Sequence, residues 1–181
     1  MIHMDTFKFL CTTQTDYEDI AEAELWFNLL IQGDESSVIM HTAVSGIILA
    51  DTSLDPYAVI KKMKIFFDRD PEFFQYMLKL IPIDRVIETD VGLMKVVVDE
   101  LLEKKKEIFS AGQFAVNIRK RSTDLTNNEI IEVVTRGIDN PVDLKNPDWY
   151  IWIEIIGNIT GISICKPSDL FHIKRRQMNA N

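Results

Sequence analysis

The apolar positions of the first 67 residues recur in two different periods. Over residues 7–13 they alternate with polar ones, which is typical of a half-buried strand. Over residues 17–31 they recur every fourth residue, which predicts a helix with one buried stripe. Two short apolar runs, 37–41 and 47–50, predict a hairpin, and a second helix follows to residue 67. The order β-α-β-β-α makes up most of a ferredoxin-like unit.

Three aspartates are placed where helices are expected to begin. Asp16 precedes the first helix and is the expected N-cap, since short polar side chains accept hydrogen bonds from the first free amides. Asp55 and Asp70 are each followed by proline, a residue favoured at the first helical position. The sequence therefore predicts a helix after Asp55 and a third helix that runs from Asp70 to about Leu80.

Beyond residue 67 the pattern changes to strands that alternate with helices. Helical spacing of apolar residues is clearest from Met94 to Phe109, and clean alternation is clearest from Phe114 to Lys120. Two later runs, 150–156 and 161–166, predict a strand pair. The fold class is therefore α/β (α+β) with a mixed sheet in the second part. The expected division is residues 1–67, residues 68–170 and a polar tail, 171–181.

Charge is spread unevenly along the chain. The net charge is −8, which alone argues against nucleic-acid binding, because neutralising phosphates requires Lys and Arg. Residues 1–70 contribute 12 acidic and 5 basic side chains, whereas residues 112–181 contribute 8 acidic and 9 basic ones. Any surface for a polyanion is therefore expected in the second half of the chain.

The patterns of common catalytic and cofactor sites are missing from the sequence. The seven glycines match neither GxGxxG nor a Walker loop, so no nucleotide cofactor is expected. His3, His41 and His172 are isolated, and Cys11 and Cys165 lack the spacing of a zinc site. We therefore expect no metal, no small-molecule substrate and no catalytic residue. We also expect a cytoplasmic protein, because neither a signal peptide nor a membrane segment is recognisable.

Two basic clusters stand out among the candidate binding residues. The first closes the strand that begins at Phe114, and strand geometry places Arg119 and Arg121 on its outward face with Lys120 opposite. The second lies in the expected tail. Composition alone favours a solubilising strand end and a solvated tail as the explanation of the two clusters, so RNA binding needs independent support.

Residues 70–166 resemble the THUMP domain. The segment Phe114 to Arg121 is similar to its Phe-x-Val-x-x-x-Lys/Arg-Arg strand. A capped helix follows at 127–138, and Thr126 and Glu129 match the capping box at its start. Residues 142–148, Val-Asp-Leu-Lys-Asn-Pro-Asp, match a THUMP segment without a break. Residues 151–154 match its Ile-x-Ile-Glu strand. THUMP domains commonly follow a ferredoxin-like domain, and this layout resembles the free-standing THUMP proteins that assist tRNA cytidine acetyltransferase.

The resemblance implies a tRNA-binding adaptor that presents tRNA to a separate acetyltransferase and is not itself an enzyme. The residues expected to contact RNA form one cationic corner, with one asparagine that shapes a loop beside them. They are Arg119, Lys120, Arg121, Arg136, Lys145, Asn146, Lys174, Arg175 and Arg176. The alternatives are a protein-interaction module that does not bind RNA and a small ferredoxin-like enzyme such as an acylphosphatase.

Overall fold

The computed structural model describes residues 6–109 and 112–173, which divide into two compact units. The first unit contains residues 9–81 and the later segment 169–173, and the second contains residues 6–8 and 82–168. In chain order the elements are β1 (Phe9–Thr13), α1 (Glu18–Ile31), β2 (Val38–His41), β3 (Ile47–Asp51), α2 (Pro56–Arg69), β4 (Met77–Pro82), β5 (Arg85–Glu88), α3 (Val91–Lys104), α4 (Lys106–Phe109), β6 (Phe114–Arg121), α5 (Asn127–Val134), β7 (Trp149–Ile156), β8 (Ile159–Cys165) and β9 (Phe171–His172).

The first unit is built on a five-stranded sheet in the order β2-β3-β1-β4-β9. With β4 added to the predicted β-α-β-β-α, the unit has the complete ferredoxin-like succession of elements. Helices α1 and α2 pack on the sheet through Leu25, Leu29 and Met63, which are fully buried. The last strand, β9, pairs with β4 antiparallel and inserts Phe171 into this same core. Both β4 and β9 lie beyond the range 1–67 that the sequence suggested.

The second unit contains a four-stranded sheet in the order β5-β8-β7-β6. Strands β6 and β7 are parallel, whereas β7–β8 and β5–β8 are antiparallel, so the prediction of a mixed sheet is confirmed. One face is covered by α3 and α5, whose buried residues meet a row of isoleucines on β7 and β8. Strand β6 lies at one edge of the sheet, and the side chains of Arg119 and Lys120 near its end are exposed.

The predicted helix from Asp70 to Leu80 is wrong. After a single 3-10 turn, Pro71–Phe73, the chain extends into β4. The cause lies on α1, where the Glu24 carboxylate accepts the backbone N–H groups of Gln75, Tyr76 and Met77 at 2.5, 3.1 and 2.6 Å. Amides held by a side chain from another helix cannot donate within a helix of their own, so the segment stays extended.

Asp16 does not cap α1, contrary to expectation. Its φ is +71°, a left-handed conformation that aspartate tolerates better than most residues, and α1 begins two residues later. Asp55 is confirmed as a cap, because it accepts from the Ala58 amide at 2.7 Å, whereas Asp70 caps only the 3-10 turn. The capping box of Thr126 with Glu129 is also confirmed. The left-handed conformation of Asp16, and not a cap formed by its side chain, therefore precedes the start of α1.

Gly46 is a position where a larger residue should be costly. Its φ is +76°, and a Cβ atom there would lie 2.8 Å from the backbone oxygen of Thr13. We expect Gly46→Ala to lower the free energy of unfolding by about 2–4 kcal/mol, the sum of left-handed strain and a backbone clash. Gly137 has nearly the same φ, +79°, but a Cβ atom there would have no neighbour within 4 Å, so Gly137→Ala should cost only about 1 kcal/mol. If urea denaturation gave Gly46→Ala and Gly137→Ala equal losses in the free energy of unfolding, the predicted clash at Gly46 would be contradicted.

Both cysteines are buried, and neither forms a disulfide. Burial raises the pKa of the Cys11 thiol, and the nearby Glu24 carboxylate adds to the shift. Among the described residues, none of the helices has both the length and the apolar character needed to cross a bilayer.

Candidate RNA interface

Arg121, at the end of β6, is held by the protein itself. Its Nη1 atom lies 2.8 Å from Oε2 of Glu154 on β7, and the Glu154 side chain is only 1% exposed. The other carboxylate oxygen of Glu154 accepts the indole N–H of Trp152 at 2.8 Å. A buried carboxylate requires a cationic partner, so the first role of Arg121 is structural.

Lys120 is also engaged. Its Nζ atom donates to the backbone oxygen of Leu125 at 2.6 Å, which ties the end of β6 to the loop before α5. Beyond that loop, Glu129 accepts from Thr126, and these hydrogen bonds hold the pKa of Glu129 below its usual value, with a smaller contribution from the charge of Lys120. Lys120 therefore helps to fix the start of α5.

Arg119 is the cation of this cluster that remains available. Its side chain is exposed, and none of the described residues forms an ion pair or hydrogen bond with it. In the register of β6 and β7 it lies opposite Glu154, so it shares the face on which Arg121 meets that carboxylate. The strand end thus presents one unengaged guanidinium where the sequence suggested three cations.

The Val142–Asp148 loop is shaped by its aspartates. Oδ1 of Asp143 accepts the backbone N–H groups of Lys145 and Asn146 at 2.8 and 3.0 Å, and these bonds hold the pKa of Asp143 below its usual value. At the other end, Oδ2 of Asp148 accepts the Gln113 amide at 2.8 Å. Asn146 contributes its backbone N–H to this loop, so the loop-shaping role expected of Asn146 belongs to Asp143.

Arg136 and Lys145 lie near the opposite end of β6 from Arg119. Both side chains are exposed, and each adjoins a residue, Thr135 or Leu144, that lines one shared pocket at the start of β6. Five residue steps of extended strand, from Phe114 to Arg119, span about 16 Å. The expected single cationic corner is therefore divided into two groups at the two ends of one strand. Lys174, Arg175 and Arg176 lie outside the described residues.

An open cleft of about 620 Å³ adjoins the end of β6, beside the starts of α3 and α5. Helix N-termini can bind anions, but backbone N–H groups at the starts of α3 and α5 already donate to side chains of the protein. Asp90 caps α3 by accepting from the Leu93 amide at 2.8 Å, and Asp124 adds a second carboxylate to the cleft wall. This cleft is therefore poorly suited to a phosphate, and the exposed cations are the better candidates.

In the first unit, folding brings His41 into a group that its sequence position did not suggest. Its Nε2 atom lies 2.5 Å from Oε2 of Glu22 and 3.6 Å from Oδ1 of Asp19. Within the described part of the chain, this is the one cluster of three such side chains close enough to share an ion. These are exposed polar contacts of an imidazole with two carboxylates, an arrangement that is common on protein surfaces without an ion.

Comparison with known domains identifies the second unit. Residues 93–165 match the THUMP domain. These residues include most of α3, strand β6, the Val142–Asp148 loop and the β7–β8 pair. The chain carries a THUMP domain. No curated protein matches the chain.

Three solved structures share the fold of both units. PH1313 from Pyrococcus horikoshii Ot3 superposes with a TM-score of 0.63 and 17% identity, over 89% of this chain and 55% of that one. TrmN from Thermus thermophilus superposes with a TM-score of 0.58 and 17% identity, over 86% of this chain and 44% of TrmN. A 4-thiouridine synthetase in complex with RNA and ATP superposes with a TM-score of 0.53 and 14% identity, over 89% of this chain and 42% of the synthetase. The chain therefore spans about half the length of the structures that it resembles.

The expectation that the chain is not an enzyme is contradicted by these neighbours. One of them is a synthetase, so the fold of this chain occurs in an enzyme. The alignment covers less than half of that enzyme, and the support for an activity of this chain is correspondingly modest.

One residue important to the THUMP unit, Glu154, was missed by the sequence reasoning. A signal existed, because Glu154 interrupts the apolar run of β7, where a charge must find a partner. Trp152, two residues earlier, points to the same face of the strand and supplies one hydrogen bond. The partner of opposite charge, Arg121, is 33 residues away in sequence, and only the parallel pairing of β6 with β7 brings it near.

Proposed function

We propose that the chain is a cytoplasmic tRNA-binding adaptor that presents tRNA to a separate modifying enzyme, a tRNA cytidine acetyltransferase. The observation that carries the proposal is the THUMP domain at 93–165, with exposed cations at both ends of its edge strand. The fold shared with a 4-thiouridine synthetase–RNA complex supports RNA as the ligand. The acetyltransferase rests on the resemblance in the sequence.

The division of the cations suits a structured RNA. Arg119 lies at one end of β6, and Arg136 and Lys145 lie near the other, so each group can contact a different stretch of phosphate backbone. Helical RNA is recognised mainly by its shape and its phosphates, a mode that needs separated point charges more than a deep pocket. The small number of available cations predicts modest affinity with a shallow salt dependence, because that dependence scales with the number of phosphates neutralised.

Charge reversal at both ends of β6 tests RNA binding. We expect Arg119→Glu combined with Lys145→Glu to weaken tRNA binding roughly ten- to hundredfold at low salt, and to lower the salt dependence by about two phosphate contacts. Both side chains are exposed, so the fold should be unaffected. Binding is measured by fluorescence anisotropy with labelled tRNA.

The matched control is Lys61→Glu combined with Lys62→Glu, two exposed cations on α2 in the first unit. It changes the net charge of the chain by the same amount. An equal loss of affinity in both double variants would mean that overall charge, and not the β6 edge, governs binding. The adaptor role is tested separately, by the yield of 4-acetylcytidine from a purified acetyltransferase with and without this protein.

A further inference from the structure

Strand β6 has an open edge for most of its length. The backbone N–H and C=O of Phe114 point away from β7, because they bond to Pro141 O and Asp143 N at 3.0 Å. Alternate residues of a strand point their backbone groups the same way, so those of Val116, Ile118 and Lys120 also point outward. Among the described residues, nothing bonds to these three outward pairs.

An apolar pocket of about 210 Å³ lies beside the first half of this edge, between β6 and α5. Its rim exposes large aliphatic side chains, with Val142 62% exposed, Leu144 77% and Ile131 38%. Nucleobases stack on aromatic rings and guanidinium planes, whereas aliphatic surfaces are typical of contacts with protein. The residues beside the open edge therefore fit a polypeptide better than an RNA strand.

We propose that the β6 edge docks an extended segment of a partner protein, which adds a fifth strand to the sheet of the THUMP unit. The segment carries a bulky aliphatic residue that enters the pocket beside Val116. It carries carboxylates at the level of Arg119, whose guanidinium is exposed at the other end of the edge. Backbone pairing supplies affinity, while the pocket and the cation select the sequence. This surface shares Arg119 with the proposed tRNA contact, whereas the backbone pairing and the pocket are additional to that contact.

The alternative is that the cations at the end of β6 merely protect an edge strand from aggregation, a common use of charge at sheet edges. Protection by charge does not need a pocket or exposed aliphatic residues. The combination of unpaired backbone, pocket and Leu144 is what favours a docked segment.

The experiment selects a displayed library of random peptides on the full chain and then measures the enriched peptide by anisotropy. The expected consensus is alternating β-branched or aliphatic residues with Asp or Glu toward one end. Ile118→Pro removes one outward N–H and should weaken peptide binding roughly tenfold or more. The reason is that losing this backbone hydrogen bond also disturbs the neighbouring hydrogen bonds between β6 and the peptide. Ile118→Ala keeps that N–H and loses a similar apolar side chain, so it is the matched control.

A second readout uses the unaltered protein. In amide hydrogen exchange, the backbone amides of Val116, Ile118 and Lys120 should exchange rapidly in the protein alone and become protected by the peptide. The backbone amides of Asn117 and Arg119 face β7 and should be protected throughout. Four results would overturn the proposal: no consensus, equal binding by Ile118→Pro and Ile118→Ala, protection of these amides by tRNA without peptide, or protection that appears only on self-association.

Discussion

Replacing Arg121 by glutamate should lower the free energy of unfolding by at least about 3 kcal/mol. The change removes the cation that lies 2.8 Å from Glu154 and puts a second carboxylate in its place. Glu154 is almost completely buried, so water cannot compensate for the lost partner. The hydrogen bond that this carboxylate would keep comes from the Trp152 indole, a neutral donor. Urea denaturation followed by tryptophan fluorescence measures the loss.

Arg119→Glu is the matched control, since it makes the same charge change two residues earlier on the same face of β6. An exposed site without a partner among the described residues should change stability by no more than about 0.5 kcal/mol. Adding Glu154→Gln to Arg121→Glu should restore part of the stability, because an amide still accepts from Trp152 without repelling the new carboxylate. Similar midpoints for Arg119→Glu and Arg121→Glu would show that the pair is not structural. The practical result is that RNA-binding tests must leave Arg121 intact.

Asp34→Asn should strongly destabilise the first unit and should also remove part of its acid sensitivity. Asp34 is buried, and its carboxylate accepts from the Thr52 hydroxyl, from the Ser53 amide at 2.9 Å, and from both the amide and the hydroxyl of Ser36 at 2.9 Å. Burial alone raises the pKa of Asp34, but these hydrogen bonds outweigh it and hold the pKa well below its usual range.

The sign of the pH effect follows from that depressed pKa. An aspartate whose pKa is lower in the folded state stabilises the fold fully above the unfolded value of about 3.9, and the contribution is lost as the pH falls toward the folded pKa. At pH 7 we expect Asp34→Asn to cost about 2–4 kcal/mol, since an amide cannot accept all four donors. Below about pH 4 the difference from the unaltered protein should shrink.

Urea denaturation between pH 7 and pH 3 measures this convergence. Glu35→Gln is the control, because Glu35 is adjacent and exposed, and its neutralisation should leave the stability nearly unchanged. A constant difference between Asp34→Asn and the unaltered protein across this range would contradict the role assigned to the carboxylate.

Local signals in the sequence predicted much of the fold. The stripe from Met94 to Leu101 forms the buried face of α3, and the alternation from Phe114 forms β6. The capping box at Thr126 begins α5 as predicted. These features depend on residues within one or two turns of each other, so their physical causes are visible in a short window of sequence.

Two of the failures share one cause, which is a partner distant in sequence. Residues 74–80 do not form a helix, and the chain extends into a strand, because Glu24, about fifty residues earlier, holds three of their amides. Arg121 was assigned to RNA because Glu154 becomes its neighbour only through strand pairing. Arg119, Arg136 and Lys145 were expected in one place, and the length of β6 separates them. Side-chain roles at the candidate interface thus depend on tertiary contacts that local patterns do not encode.

The strand β9 has a consequence for how the protein is made on the ribosome. The sheet of the first unit lacks its last strand, and the core lacks Phe171, until residues 171–172 have been synthesised. Residues 82–168, by contrast, form nearly all of the other unit and leave the exit tunnel earlier. Domains usually fold in the order of their synthesis. Here the N-terminal half should finish folding last, so a released chain that is truncated after residue 168 should contain a folded THUMP unit and an incomplete ferredoxin-like one.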